Sequence, residues 1–266
     1  MTKIIKFIKN RFDTNKQTGL YLTIGATVAA VLIYIFINII KDLFEEYMLL
    51  SFDVRILDII KNYRTPSLTK LMLFITYLGE WGSIAILCFS ILVILFLLQN
   101  WEYFYSLLIS VIFGETFVYT IKNIIGRPRP PAAVALMTIT DYSFPSGHSY
   151  IAVAFYGLIT YITFKILKNK FLKYLTLVLG IILILSLSFS RLYLGVHWPS
   201  DILASFASSA ALITIIITFL EIREKFYPNN RFLQQKAIKK AFIFSTIAFP
   251  LYIVYLIIFY IRNPII

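Results

Sequence analysis

The chain contains two histidines, and each sits inside a short polar run of an otherwise apolar sequence. His197 lies in Ser190-Arg191-Leu-Tyr-Leu-Gly-Val-His197-Trp-Pro-Ser-Asp201, four residues before a carboxylate, and His148 closes Pro145-Ser146-Gly147-His148. A carboxylate accepting from one ring nitrogen fixes the imidazole tautomer and leaves the other nitrogen free to attack, so His197 with Asp201 reads as a supported nucleophile. His148 comes from a different element and can protonate a departing oxygen. A third run, Lys122-Asn-Ile-Ile-Gly-Arg127-Pro-Arg129-Pro130, adds cations. Lys122, Arg129 and Arg191 converge without matching acids, which implies an anionic ligand, and forked guanidiniums suit phosphate oxygens. Ser146 and Gly147 open the segment that carries His148, where free N–H groups and a helix dipole favour an anion and a glycine lets it come close.

The elements that position these residues must be membrane spans. Of 266 residues, 59% are hydrophobic, and the mean hydropathy is +0.82, too apolar for an ordinary soluble domain. Seven stretches are long enough to cross a bilayer: 20–40, 81–98, 103–125, 149–167, 171–194, 199–220 and 241–261. The first is too long, and lacks the cleavage site, for a signal peptide, and is expected as a retained anchor. The three polar runs fall at the end of span three, the start of span four and the turn between spans five and six. An end after an odd number of crossings and a start before an even one share a side, so all three meet at one face. Ionisable groups at membrane depth usually mark function.

The expected architecture is an all-α integral membrane protein: a six-helix transmembrane core, an additional C-terminal transmembrane helix, and interfacial helices in the connector 41–77. The corresponding division is 1–19, a basic N-terminus; 20–221, the six-span core; and 222–266, a basic segment with the seventh span. Net charge is +12, but the cations lie between spans rather than on one soluble face, which argues against nucleic acid. With the N-terminus inside, cytoplasmic segments hold 15 of the 25 Lys and Arg, which orients the chain N-in with the polar runs outside. The single cysteine, Cys88, excludes an intrachain disulfide and is assigned to packing. Trp81, Trp101, Tyr103, Tyr105 and Trp198 are expected in the interfacial aromatic belts. Glu115 is assigned a structural role and Asp141 and Tyr142 a solvated loop, while Arg127 stays open between phosphate or headgroup binding and no ligand role. Two imidazoles and one carboxylate, already assigned, leave too few ligands for a two-metal phosphatase site.

The three runs together resemble the type 2 phosphatidic acid phosphatase superfamily: Lys, six residues, Arg-Pro; then Pro-Ser-Gly-His; then Ser-Arg, five residues, His, three residues, Asp. Lys122, Arg129 and Pro130, then Pro145 to His148, then Ser190, Arg191, His197 and Asp201 match at every position. The resemblance implies a phosphohistidine on His197, support from Asp201, and His148 as general acid. It further implies phosphate binding by Lys122, Arg129, Ser146, Gly147 and Arg191, and no metal or other cofactor. It points to a lipid substrate such as undecaprenyl pyrophosphate, phosphatidylglycerophosphate or phosphatidic acid, met at the outer face of a bacterial cytoplasmic membrane. Two alternatives stand beside hydrolysis. A phosphotransferase would use the same site, with release of inorganic phosphate as the discriminator; an anion transporter would need a polar path through the spans, which the sequence lacks.

Overall fold

The computed structural model describes residues 17–45, 47–226 and 235–262. The N-terminal cations Lys3, Lys6, Lys9, Arg11 and Lys16, and Arg231 beyond the sixth span, lie outside the described residues. Among the described residues nine helices follow in order: α1 Gln17–Glu45, α2 Tyr47–Asn62, α3 Pro66–Tyr77, α4 Trp81–Leu97, α5 Trp101–Ile125, α6 Gly147–Ile166, α7 Lys170–Tyr193, α8 Pro199–Phe226 and α9 Gln235–Arg262. Six stretches are individually long and apolar enough to cross a membrane, in α1, α5, α6, α7, α8 and α9. The protein is thus an all-helical membrane protein, as its apolar periodless runs require.

The boundaries differ from expectation in two places. Helix α1 runs on to Glu45, absorbing residues 41–45 of the supposed connector. Helix α4 has 17 residues and meets the span criterion only together with α3, from which it is bent by 46°. Residues 66–77 thus form, with α4, a bent helix pair of the kind seen in broken spans and re-entrant loops, while α2 remains the helix of the connector. Lys70 and Thr76 diluted the apolar signal of α3, and the Leu78-Gly79-Glu80 break hid its continuity with α4. Thr65 caps α3 by accepting from Leu68 N, with Pro66 at the first helical position.

The bundle closes around Ile84, Leu107, Phe155, Leu158 and Leu187. Small residues set its closest crossings: a Cβ at Gly25 of α1 would collide with Thr218 of α8, and one at Gly114 of α5 would press on the Tyr150 ring of α6. Without a hydrophobic force between helices in lipid, such backbone approach is what packing depends on. Helix α6 contains a π-helical stretch, Ala152–Gly157, and Ser110 Oγ donates to Ala154 O at 2.9 Å there, satisfying a carbonyl of the widened turn. Helix α9 packs beside the bent α3–α4 pair through Tyr77 against Phe259 and Tyr260. By contrast, Phe171, Tyr174, Val178, Ile182 and Leu185 along α7 stay exposed, a face that suits acyl chains.

Of the expected belt residues, Trp81 and Tyr105 are exposed, whereas Tyr103 and Trp198 are buried. Trp198 is part of the site itself: its Nε1 donates to Pro128 O at 3.0 Å and Arg127 lies over its ring.

Candidate active site

Helix α8 places the carboxylate. Pro199 takes its first position, where no N–H is needed, and Asp201 reaches back so that Oδ2 accepts from Trp198 N at 2.9 Å, the reciprocal half of a capping box. The same oxygen lies 3.3 Å from His197 Nδ1. An ionised carboxylate only accepts, so Nδ1 carries the hydrogen and Nε2 keeps its lone pair. The turn before His197 depends on Gly195 at φ +68°, where an added Cβ would also run into Val134 O and Arg64.

Helix α5 and the loop after it deliver the first cations. Gly126, at φ +64°, ends the helix with its N–H on Lys122 O at 2.9 Å. The chain then turns so that Arg129 Nη1 lies 3.2 Å from His197 Nε2 and donates to Val196 O. Helix α6 starts at Gly147 with Ser146 as its cap, the Ser146 Oγ accepting from Ser149 N. Ser146 O in turn accepts from Ser205 Oγ of α8 at 2.9 Å. A Cβ on Gly147 would make an ordinary contact with Val118 at 3.6 Å. Arg191, at the end of α7, is 2% exposed and donates Nη1 to Thr76 Oγ1 at 2.7 Å, while its buried Nε has no partner. The structure thus brings Lys122, Arg129, Ser146, Gly147, His148, Arg191, His197 and Asp201 to one end of the bundle.

His197 is 2% exposed. Burial first, then the neighbouring Arg129, Arg191, Lys122 and His148, holds its pKa well below the ordinary imidazole value. A neutral imidazole with an unprotonated Nε2 is the form a nucleophile needs, and here that lone pair accepts from Arg129 Nη1.

Four residues that the sequence either misassigned or did not single out help to build this centre. Asp141 is not a free loop residue: its two oxygens pair with Lys122 Nζ and Arg129 Nη2, and it thereby supplies an acid for two of the three cations. Burial alone would raise its carboxyl, but the hydrogen bonds and charges of Lys122 and Arg129 outweigh that and hold it at about 2. Glu80, in the α3–α4 break, lies 3.6 Å from His148 Nε2. Asp53 and Arg127 form a buried pair behind Asp201. A carboxylate at a helix break, or among the several acids of 41–58, looks in sequence like any interfacial charge.

Asp141 grips Lys122 and Arg129, two cations that a phosphate would need, so it would compete with such an anion. Asp141→Ala is expected to lower the inhibition constant of inorganic phosphate by about 3- to 10-fold, as one like charge leaves the anion site. With a folded-state pKa of about 2 against an unfolded value near 3.9, the carboxylate is ionised above about pH 4. The gain is therefore constant at higher pH and fades only as pH falls toward 2. An unchanged or larger phosphate constant in Asp141→Ala would show that Asp141 helps rather than opposes the anion.

A helical bundle whose described residues gather two imidazoles, three cations and a carboxylate at one end defines a polytopic membrane protein with a polar centre at one end of its spans. Residues 84–225, more than half of the chain, match the family model of the PAP2 superfamily. The chain belongs to that superfamily. A phosphatidylglycerophosphatase B of Bacillus subtilis (strain 168) is 32% identical over 170 residues, covering 61% of this chain and 80% of its own. An undecaprenyl-diphosphatase of Sulfolobus acidocaldarius is 26% identical over 200 residues, covering 72% and 87%. The crystal structure of a transmembrane PAP2-type phosphatidylglycerolphosphate phosphatase from Bacillus subtilis resembles this fold with a TM-score of 0.67 and 26% identity, over 73% of this chain and 96% of that one.

Proposed function

We propose that this protein hydrolyses a lipid phosphate or pyrophosphate through a phosphohistidine, without a metal, at the outer face of the membrane. The observation that carries the reading is the ordered set Asp201, His197, Arg129: the carboxylate on Nδ1 and a guanidinium 3.2 Å from Nε2. An entering phosphate takes the place of Asp141 on Lys122 and Arg129, and Arg191 offers its unpartnered Nε. His197 Nε2 attacks phosphorus, the P–O bond to the lipid breaks, and His148 gives its proton to the leaving oxygen. Water then attacks the phosphorus, His148 takes its proton, the N–P bond breaks and phosphate departs. The cations stabilise the charge of both five-coordinate transition states. Phosphatidylglycerophosphate and undecaprenyl pyrophosphate are the substrates toward which the relatives direct this reading. The outer-face assignment rests on the bias of 15 in 25 cations toward the other side.

A lipid is favoured because each of these residues lies at a helix end, and the described chain has no separate domain to enclose a water-borne ester. The bilayer supplies concentration and orientation, while a tail already in lipid gains little by moving between helices. In mixed micelles containing EDTA, kcat/KM for such lipids is expected to exceed that for glycerol 3-phosphate by about 10²-fold or more, in line with what positioning contributes. Equal efficiency on the soluble ester would remove the lipid assignment. Loss of activity in EDTA, restored by Mg²⁺, would remove the metal-free one.

A further inference from the structure

Asp53 of α2 is fully buried. Its Oδ1 accepts from Ser200 N at 2.9 Å, and its Oδ2 accepts from Arg127 Nη2 at 2.6 Å and from Ser200 Oγ. Arg127 Nη1 continues to Asp201 Oδ1 and to Ser200 Oγ, at 2.8 Å for the latter. Asp201 Oδ2 is taken by Trp198 N and His197 Nδ1. The result is one hydrogen-bonded chain, Asp53, Arg127, Asp201, His197, whose guanidinium also covers the Trp198 ring at 5.4 Å. Arg127 was the cation the motif left unassigned. Its Nη groups are committed to two buried carboxylates, so it stands behind the imidazole rather than facing the anion.

We infer that Arg127 and Asp53 are positioning residues for His197, acting through Asp201, and that α2 is thereby part of the catalytic assembly. This rests on the reading of His197 as nucleophile. Asp201 is a buried carboxylate and needs a counter-charge to stay ionised and in place. Arg127 supplies that charge while leaving Oδ2 free for the imidazole. Asp53 in turn fixes the guanidinium and ties it to the first turn of α8 through Ser200, so the α8 terminus, Asp201 and His197 move as one body. A lysine keeps the charge but cannot bridge two carboxylates with the same fork.

The test uses full-length protein in detergent with phosphatidic acid as substrate, recording kcat, KM, the inhibition constant of inorganic phosphate and the melting temperature. Arg127→Gln is expected to lower kcat by about 100-fold, and Asp53→Asn by about 10-fold, the range for residues that orient a reacting group from behind. KM and the phosphate constant should stay within about threefold, because the groups facing the anion are untouched. Arg127→Lys should recover part of kcat, a response that a merely structural role would not give. The double variant should be no worse than Arg127→Gln, since both act through one link. If Arg127→Gln does not fold, Asp53→Asn carries the test, as its amide oxygen can still accept from Ser200 N. A raised phosphate constant with unchanged kcat would make Arg127 an anion ligand and overturn the inference, as would full activity in both single variants. His197→Ala run in parallel separates the two levels: if it is inactive while the Arg127 and Asp53 variants are normal, only the positioning role fails, whereas an active His197→Ala removes the nucleophile reading itself.

Discussion

His197→Ala is expected to lower phosphate release by at least about 10⁴-fold, to the level of a site that binds but has no attacking group. The size follows from the geometry. His197 is the imidazole that has Asp201 on one nitrogen and a cation at the other, and His148, held near Glu80, cannot replace it from its own helix. Lys122, Arg129 and Arg191 remain, so the variant should still bind inorganic phosphate. Retained binding with lost turnover is the signature of a missing nucleophile rather than a collapsed site. The residue is buried, so truncation leaves a cavity and a modest fall in melting temperature is expected. A His197→Ala protein that releases phosphate at a near-normal rate would exclude covalent catalysis by this residue.

His148→Ala is expected to slow phosphoenzyme formation from phosphatidic acid by about 10²- to 10⁴-fold, the usual contribution of a positioned general acid. The same variant should lose less than about tenfold on p-nitrophenyl phosphate, whose leaving group departs without a proton. The comparison has to be made on the first chemical step, in a single turnover, because in the proposed cycle His148 would also act as base when water attacks. The expectation is drawn from its position: its ring packs against Gly79, where an added Cβ would lie 2.9 Å from His148 Cδ2, and a carboxylate stands 3.6 Å from Nε2. Equal losses on both esters would leave His148 a binding or structural residue and assign the leaving-group proton elsewhere.

Much of this site was legible in the sequence because membrane spans make polar residues conspicuous. Two histidines in 266 residues, each in a polar run at a span end, leave few competing roles, and the parity of the spans placed the runs on one side. What the sequence withheld was of two kinds. Local strength misled at α3, where Lys70 and Thr76 interrupted the apolar run and a break at Gly79 hid its pairing with α4 in one bent helix pair. Tertiary pairing was invisible at Asp53, Glu80 and Asp141. Each is one acid among several near the membrane surface, and only the folded chain brings Asp53 to Arg127 across 74 residues, or Asp141 onto Lys122. Arg127 and Arg129 stand two positions apart and share a side-chain type, so spacing could not say which guanidinium meets His197 Nε2 and which sits behind Asp201.

The central claim is the covalent intermediate on His197, and chemical trapping tests it most directly. Full-length protein is mixed with [³²P]phosphatidic acid in micelles, quenched in strong base during steady turnover, and digested for peptide mapping. The expected result is base-stable, acid-labile label on the peptide containing His197, and none on the His197→Ala protein. Label on any other residue, or no label in wild type under conditions where phosphate release continues and breakdown of the intermediate has been slowed, would contradict it.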